Sequence, residues 1–139
     1  MVGIALLLLL ATACTMPRDE PPMIYIRYLN PTSDVVDLRT QSREPNSDGG
    51  TSGDVPPCGI GGASWGLVER QTWSVIADGM VVLDSTDELP QPGPGEDLEV
   101  VLARHPDGTH TVESAEVHPH LSEAEWGARH EELRAELDC

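Results

Sequence analysis

Thr72-Trp73-Ser74-Val75-Ile76-Ala77-Asp78-Gly79-Met80-Val81-Val82-Leu83 decides the fold of this chain. Two β-rich runs meet at Asp78-Gly79, and a two-residue type I′ turn needs positive φ at both central positions, which Asp tolerates and Gly prefers. The stretch predicts a tight β-hairpin. A second hairpin is predicted after the proline-rich residues 90–95: a strand over 98–104, the turn Pro106-Asp107-Gly108, and a strand over 109–114. Leu98, Val100 and Leu102 fall on one face of its first strand.

Toward the N-terminus, residues 23–29 are rich in Ile and Tyr, with Ile24, Ile26 and Tyr28 on one side of a pleat. Asn30-Pro31-Thr32-Ser33-Asp34 supplies turn chemistry, and residues 35–40 set Val36 and Leu38 against Asp37 and Arg39. These two runs predict another hairpin. Residues 41–57 hold Gly49, Gly50, Gly53 and three prolines with almost nothing apolar, which predicts a long disordered loop. Residues 65–70 alternate weakly, with Trp65 and Leu67 on one face. About seven short strands separated by turn signals predict a mainly β fold, a small antiparallel β-sandwich of immunoglobulin-like size.

The C-terminus has a different period. Ser122-Glu123-Ala124-Glu125 is a capping box, in which the Ser122 hydroxyl accepts from the Glu125 amide while the Glu125 carboxylate reaches back. A helix is predicted over 123–138, with Trp126, His130, Leu133 and Leu137 recurring on the side that packs on the sheet.

Residues 2–13 form an apolar run about as long as a signal-peptide core and too short to span a membrane, and it ends in Leu10-Ala11-Thr12-Ala13-Cys14. The segment resembles a bacterial lipoprotein signal with its lipobox. All eight basic residues are Arg, and Lys and Phe are absent, as in high-GC genomes, so the resemblance is to lipoproteins of actinobacterial type. It implies removal of residues 1–13 and lipidation of Cys14, whose two acyl chains at roughly 0.8 kcal/mol per buried CH₂ would anchor the protein stably. It further implies a tether over 14–22, a domain over 23–139, and residence on the extracytoplasmic face of the membrane.

With Cys14 taken by lipid, Cys58 and Cys139 remain as an even pair in an oxidising compartment, which predicts a disulfide, free thiols being the alternative. The net charge of −16 disfavours nucleic acid, whose phosphates need clustered Lys and Arg.

Three constellations carry chemistry on paper. Gly62-Ala63-Ser64-Trp65-Gly66 matches the G-x-S-x-G nucleophile elbow, with Asp107 and His110 as nominal partners. An elbow needs a buried strand before the serine and a helix after it, whereas prolines precede this one and strand-like residues follow. A glycine-rich entry into a strand is the simpler reading. His118-Pro119-His120, with His105 and His110, could join carboxylates around a metal, but the spacing is unspecific and Pro119 breaks regular strand geometry. Trp65, Trp73 and Trp126 suit a sugar- or peptide-stacking face, or, more ordinarily, a core without Phe. There is no phosphate loop, zinc-finger spacing or dinucleotide fingerprint. The expectation is a non-catalytic module without cofactor or metal, binding an extracellular ligand or envelope protein. A histidine metal site and a small hydrolase using Ser64 stand as the alternatives.

Overall fold

The computed structural model describes residues 21–44 and 47–139. The leader and Cys14 lie outside them. In chain order the elements are β1 (Met23–Asn30), β2 (Val36–Glu44), β3 (Ser47–Val55), β4 (Gly59–Gly66), β5 (Thr72–Ala77), β6 (Met80–Asp84), β7 (Glu96–Arg104), β8 (His110–Pro119) and α1 (Glu123–Glu136). Two four-stranded sheets, β4-β1-β7-β8 and β3-β2-β5-β6, face each other as a sandwich.

Both Asp-Gly turns form hairpins. Asp78 and Gly79 take φ of 50° and 80°, the two positive values that join β5 to β6, and Gly108, at 84°, closes the turn between β7 and β8. The inward faces follow the alternation: Ile24, Ile26 and Tyr28 of β1, Val36 and Leu38 of β2, Val75 and Ala77 of β5, and Leu98, Val100 and Leu102 of β7 are buried together. Trp65 of one sheet meets Trp73 of the other edge to face, ring centres 5.4 Å apart. These indoles fill core volume that Phe would otherwise supply.

The expected hairpin of the first two strands does not exist, because β1 and β2 lie in different sheets. Asn30 explains the crossing. Its fully buried side chain donates to the carbonyls of Asp34 (2.7 Å) and Pro56 (3.0 Å) and accepts from the Thr32 hydroxyl (2.6 Å). That network satisfies a corner whose backbone has left one ladder and not yet joined the next. β1 instead pairs antiparallel with β4 and parallel with β7.

Residues 41–44 and 47–55 are paired strand and not a disordered loop. β2 continues to Glu44 and β3 begins at Ser47, in register from Val36↔Val55 to Glu44↔Ser47. Thr40 and Thr51 share a hydroxyl–hydroxyl hydrogen bond of 2.7 Å across the pair. Polar composition argues against burial, but β3 is an edge strand with residues 49–54 exposed, so its backbone pairs without needing an apolar face. This hairpin brings the strand count to eight.

The strand expected over 65–70 lies earlier, at Gly59–Gly66, and its glycines are what allow it. A Cβ on Gly61 would stand 2.3 Å from Val55 Cγ2, so the sheets approach too closely here for any side chain. Gly61→Val should therefore destabilise the domain by about 1–3 kcal/mol through overpacking. Urea unfolding measures this loss, and Gly53→Val, at a site with open space around it, is the control.

β7 is buried along both faces, unlike an ordinary sandwich strand. Its outward residues Val101 and Ala103 join Leu29 and Leu133 in a second apolar cluster, flanked by Ile60 and Leu137. That cluster seats α1 on the outer surface of the sheet. The helix starts at the predicted capping box: the Glu125 amide donates to Ser122 Oγ (3.3 Å) and the Ser122 amide to Glu125 Oε2 (2.6 Å). It ends at Glu136, two residues short of the expected bound. Just beyond it, Cys139 is disulfide-bonded to Cys58, across a sequence separation of 81 residues. At the start of the described residues, the Pro22 carbonyl accepts from the Leu67 amide at 2.7 Å, one position beyond the β1-β4 ladder.

Candidate functional site

The polar half of the interface between α1 and the sheet is the most chemically dense region of the molecule. Odd-numbered residues of β1 and β7 point outward, placing Tyr25, Arg27, Asp97 and Glu99 beneath or beside the helix. Glu99 is 1 % exposed. It accepts from Arg129 Nε of α1 at 2.9 Å, while His118 Nε2 of β8 stands 3.6 Å from the same carboxylate oxygen. Burial works against the Arg129 charge, but the hydrogen bonds and charges of Glu99 and Glu132 outweigh it and raise the guanidinium pKa. Asp97, also buried, accepts from the Met23 amide (3.0 Å) and His120 Nδ1 (2.8 Å), tying the start of β1 to the segment leading into α1.

Next to this cluster, Tyr25 and Trp126 pack with ring centres 4.3 Å apart. The Arg27 guanidinium lies over both rings, 5.6 Å from Tyr25 and 5.1 Å from Trp126. Burial, reinforced by the charge of Asp97 and opposed by that of Arg27, raises the Tyr25 phenol pKa, so it stays a neutral donor. These residues open onto a cleft of about 500 Å³ lined also by Gly62 and Ser64 of the edge strand β4 and by His120.

The structure separates the residues of the nominal triad. Ser64 is an exposed residue in a regular stretch of β4, paired with Tyr25, so no strained elbow forms. β4 and β8 are opposite edges of one sheet, which sets Ser64 and His110 at least three strand spacings, about 14 Å, apart. Asp107 is engaged by the Thr109 amide and hydroxyl in its own turn.

The histidines are dispersed. His105 bonds Thr111, His110 bonds Tyr28, His118 faces Glu99 and Glu116, His120 bonds Asp97 and His130 bonds Arg134. Among the described residues no group of three or more His, Cys, Asp or Glu is disposed to hold a metal ion. Of the three tryptophans, Trp65 and Trp73 serve the core, and Trp126 alone lines the cleft.

The His110 contact carries a pH prediction. Burial, with the charge of Asp78, pushes the Tyr28 phenol up to about 12, so Tyr28 Oη is the donor in its 2.6 Å hydrogen bond to His110 Nδ1. His110 is then neutral, and burial lowers its pKa below the ordinary 6.5, with Arg104 and His105 adding to the shift and Asp78 opposing it. The unfolded chain therefore binds this proton more readily than the native one. Stability should be complete above pH 6.5 and decline as pH falls through the depressed native value. Melting temperatures of the parent and His110→Gln across pH 4–8 check it: the parent should lose more stability on acidification than the variant.

Sequence reasoning missed Tyr25, Arg27, Asp97, Glu99 and Arg129. One signal was present: Val100-Val101-Leu102-Ala103 is a continuous apolar run, the mark of a strand covered on both sides. It identifies β7 as central, and the capped helix as its outer cover. No protein-family model matches the chain, and no curated protein matches it in sequence.

Proposed function

We propose that this chain is an exported, lipid-anchored envelope protein that acts by binding and not by catalysis. The observation that carries this reading is the Cys58–Cys139 disulfide, since such bonds persist in oxidising compartments and are rare in the cytosol. Both cysteines are exposed, where cytosolic reductants would reach them. The leader ending in Cys14 supports the same placement, as does the use of the carboxylates and imidazoles in structural contacts. A membrane-held domain presenting a rigid aromatic–cationic cleft suits a non-catalytic partner of an extracellular ligand or envelope component.

Expression of the parent chain and Cys14→Ser in a bacterial host, followed by fractionation and mass spectrometry, tests the proposal. The parent should sediment with membranes and begin at a diacylglyceryl-modified Cys14, and the variant should leave the membrane fraction. Cytosolic material retaining Met1, with free thiols at Cys58 and Cys139, would overturn it.

A further inference from the structure

The four edge strands of the sandwich are not equally guarded. β3 carries Asp54; β6 carries Asp84 and is paired through a register shift; β8 has Glu113, Glu116, Pro119 and a register shift of its own. Charges, prolines and bulges of this kind keep edges from recruiting further strands. β4 has none of them. Its sequence, Gly-Ile-Gly-Gly-Ala-Ser-Trp-Gly, is uncharged, and its pairing with β1 is regular over all eight residues.

A cleft opens on each face of this edge. Inward-facing Gly61 and Ala63 border an opening of about 190 Å³ between the sheets, where Leu38 and Val55 supply apolar wall. Outward-facing Gly62 and Ser64 border the cleft of Tyr25, Arg27 and Trp126. An extended chain alternates its side chains with the same period of two, so one added strand would fill both clefts at once.

Arg27 determines what that strand must carry. In a chain with 24 acidic residues it has no carboxylate partner among the described residues, and its Nε is buried without a hydrogen bond. Trp126 Nε1, beside it, is likewise buried without a partner. Gly62 is the cross-strand neighbour of Arg27 and has no side chain to separate it from an incoming residue. His120 and Glu123 also line this cleft.

We propose that β4 is a strand-addition site for an extended peptide segment of a partner protein, bearing apolar side chains toward the sandwich and an Asp or Glu toward Arg27. This names the partner class for the binding module proposed above and rests on that reading only for the compartment in which the partner is met.

The purified full chain is tested by hydrogen–deuterium exchange and fluorescence anisotropy with the synthetic heptapeptide Val-Ser-Val-Glu-Val-Ser-Val and its analogue with Gln at the centre. The glutamate peptide should slow exchange across Gly59–Gly66 and bind at least tenfold more tightly than the Gln peptide. Arg27→Gln should erase that ratio while keeping the slowed exchange in β4; Arg27→Lys should recover part of the ratio. Equal affinity of the two peptides for the parent chain would overturn the proposal whether or not a variant folds. So would unchanged exchange in β4 at millimolar peptide, slowing confined to β3, β6 or β8, or a free chain that sediments as a dimer with β4 already protected. None of these outcomes depends on Cys14, so failure here leaves the membrane-anchoring result to stand or fall separately.

Discussion

Cys139→Ser is expected to lower the melting temperature of the domain by roughly 15–20 °C. A closed loop spanning 81 residues removes chain entropy worth about 4–5 kcal/mol from the unfolded state, a large fraction of what a domain of this size possesses. The bond also pins the end of α1 to the segment between β3 and β4. Thermal melts with and without a reductant provide the measurement. Reduction should bring the parent down to the level of Cys139→Ser and leave the variant unchanged. A parent indifferent to reductant would refute the expectation.

Arg129→Leu should produce the second large effect. It leaves Glu99 buried beneath the helix with its main counter-charge gone, and breaking a buried pair costs on the order of 3 kcal/mol. Arg129 is partly exposed, with 23 % of its side chain accessible, so the loss belongs at the lower end of the range for fully buried pairs. Glu99→Met combined with Arg129→Leu should recover most of the stability, since the desolvated charge itself is then removed. Urea unfolding of the two single variants and the double variant measures the coupling. Additive losses would show that Glu99 and Arg129 do not act as a pair.

The parts of this fold that were legible in the sequence are those fixed by local chemistry. Asp78-Gly79 can close only a few kinds of turn, and Ser122 and Glu125 are spaced to satisfy each other's amides, so both hairpins and the helix start could be read without knowing their neighbours. The same holds for the inward faces of β1 and β7, where a period of two names the buried residues. What remained illegible depends on partners far along the chain. Nothing within residues 23–40 says that β1 will pair with β4 and β7 while β2 crosses to the other sheet, because a turn sequence specifies a bend and not a destination. β3 was hidden for another reason: its stability comes from a ladder of backbone hydrogen bonds to β2, and composition does not report them.

The candidate site was hidden by the same distance. Arg27, Glu99 and Trp126 belong to three elements and acquire meaning only once α1 has docked. Even so, the two-sided burial of β7 was written in its apolar run, and the exposed cysteines were correctly paired by counting. The tryptophans divide along the same line. Trp65 and Trp73 lie on strands and point into the sandwich, and Trp126 lies on the helix, where only the docked geometry reveals that it stands over Tyr25.

The parallel pairing of β1 with β7 bears on how this protein is born. Met23 and Asp97, joined across that pairing, are 74 residues apart, and β1, the strand between β4 and β7, precedes the other described strands in the chain. An emerging polypeptide therefore cannot assemble this sheet until β7 has been made, and contacts of such long range form slowly.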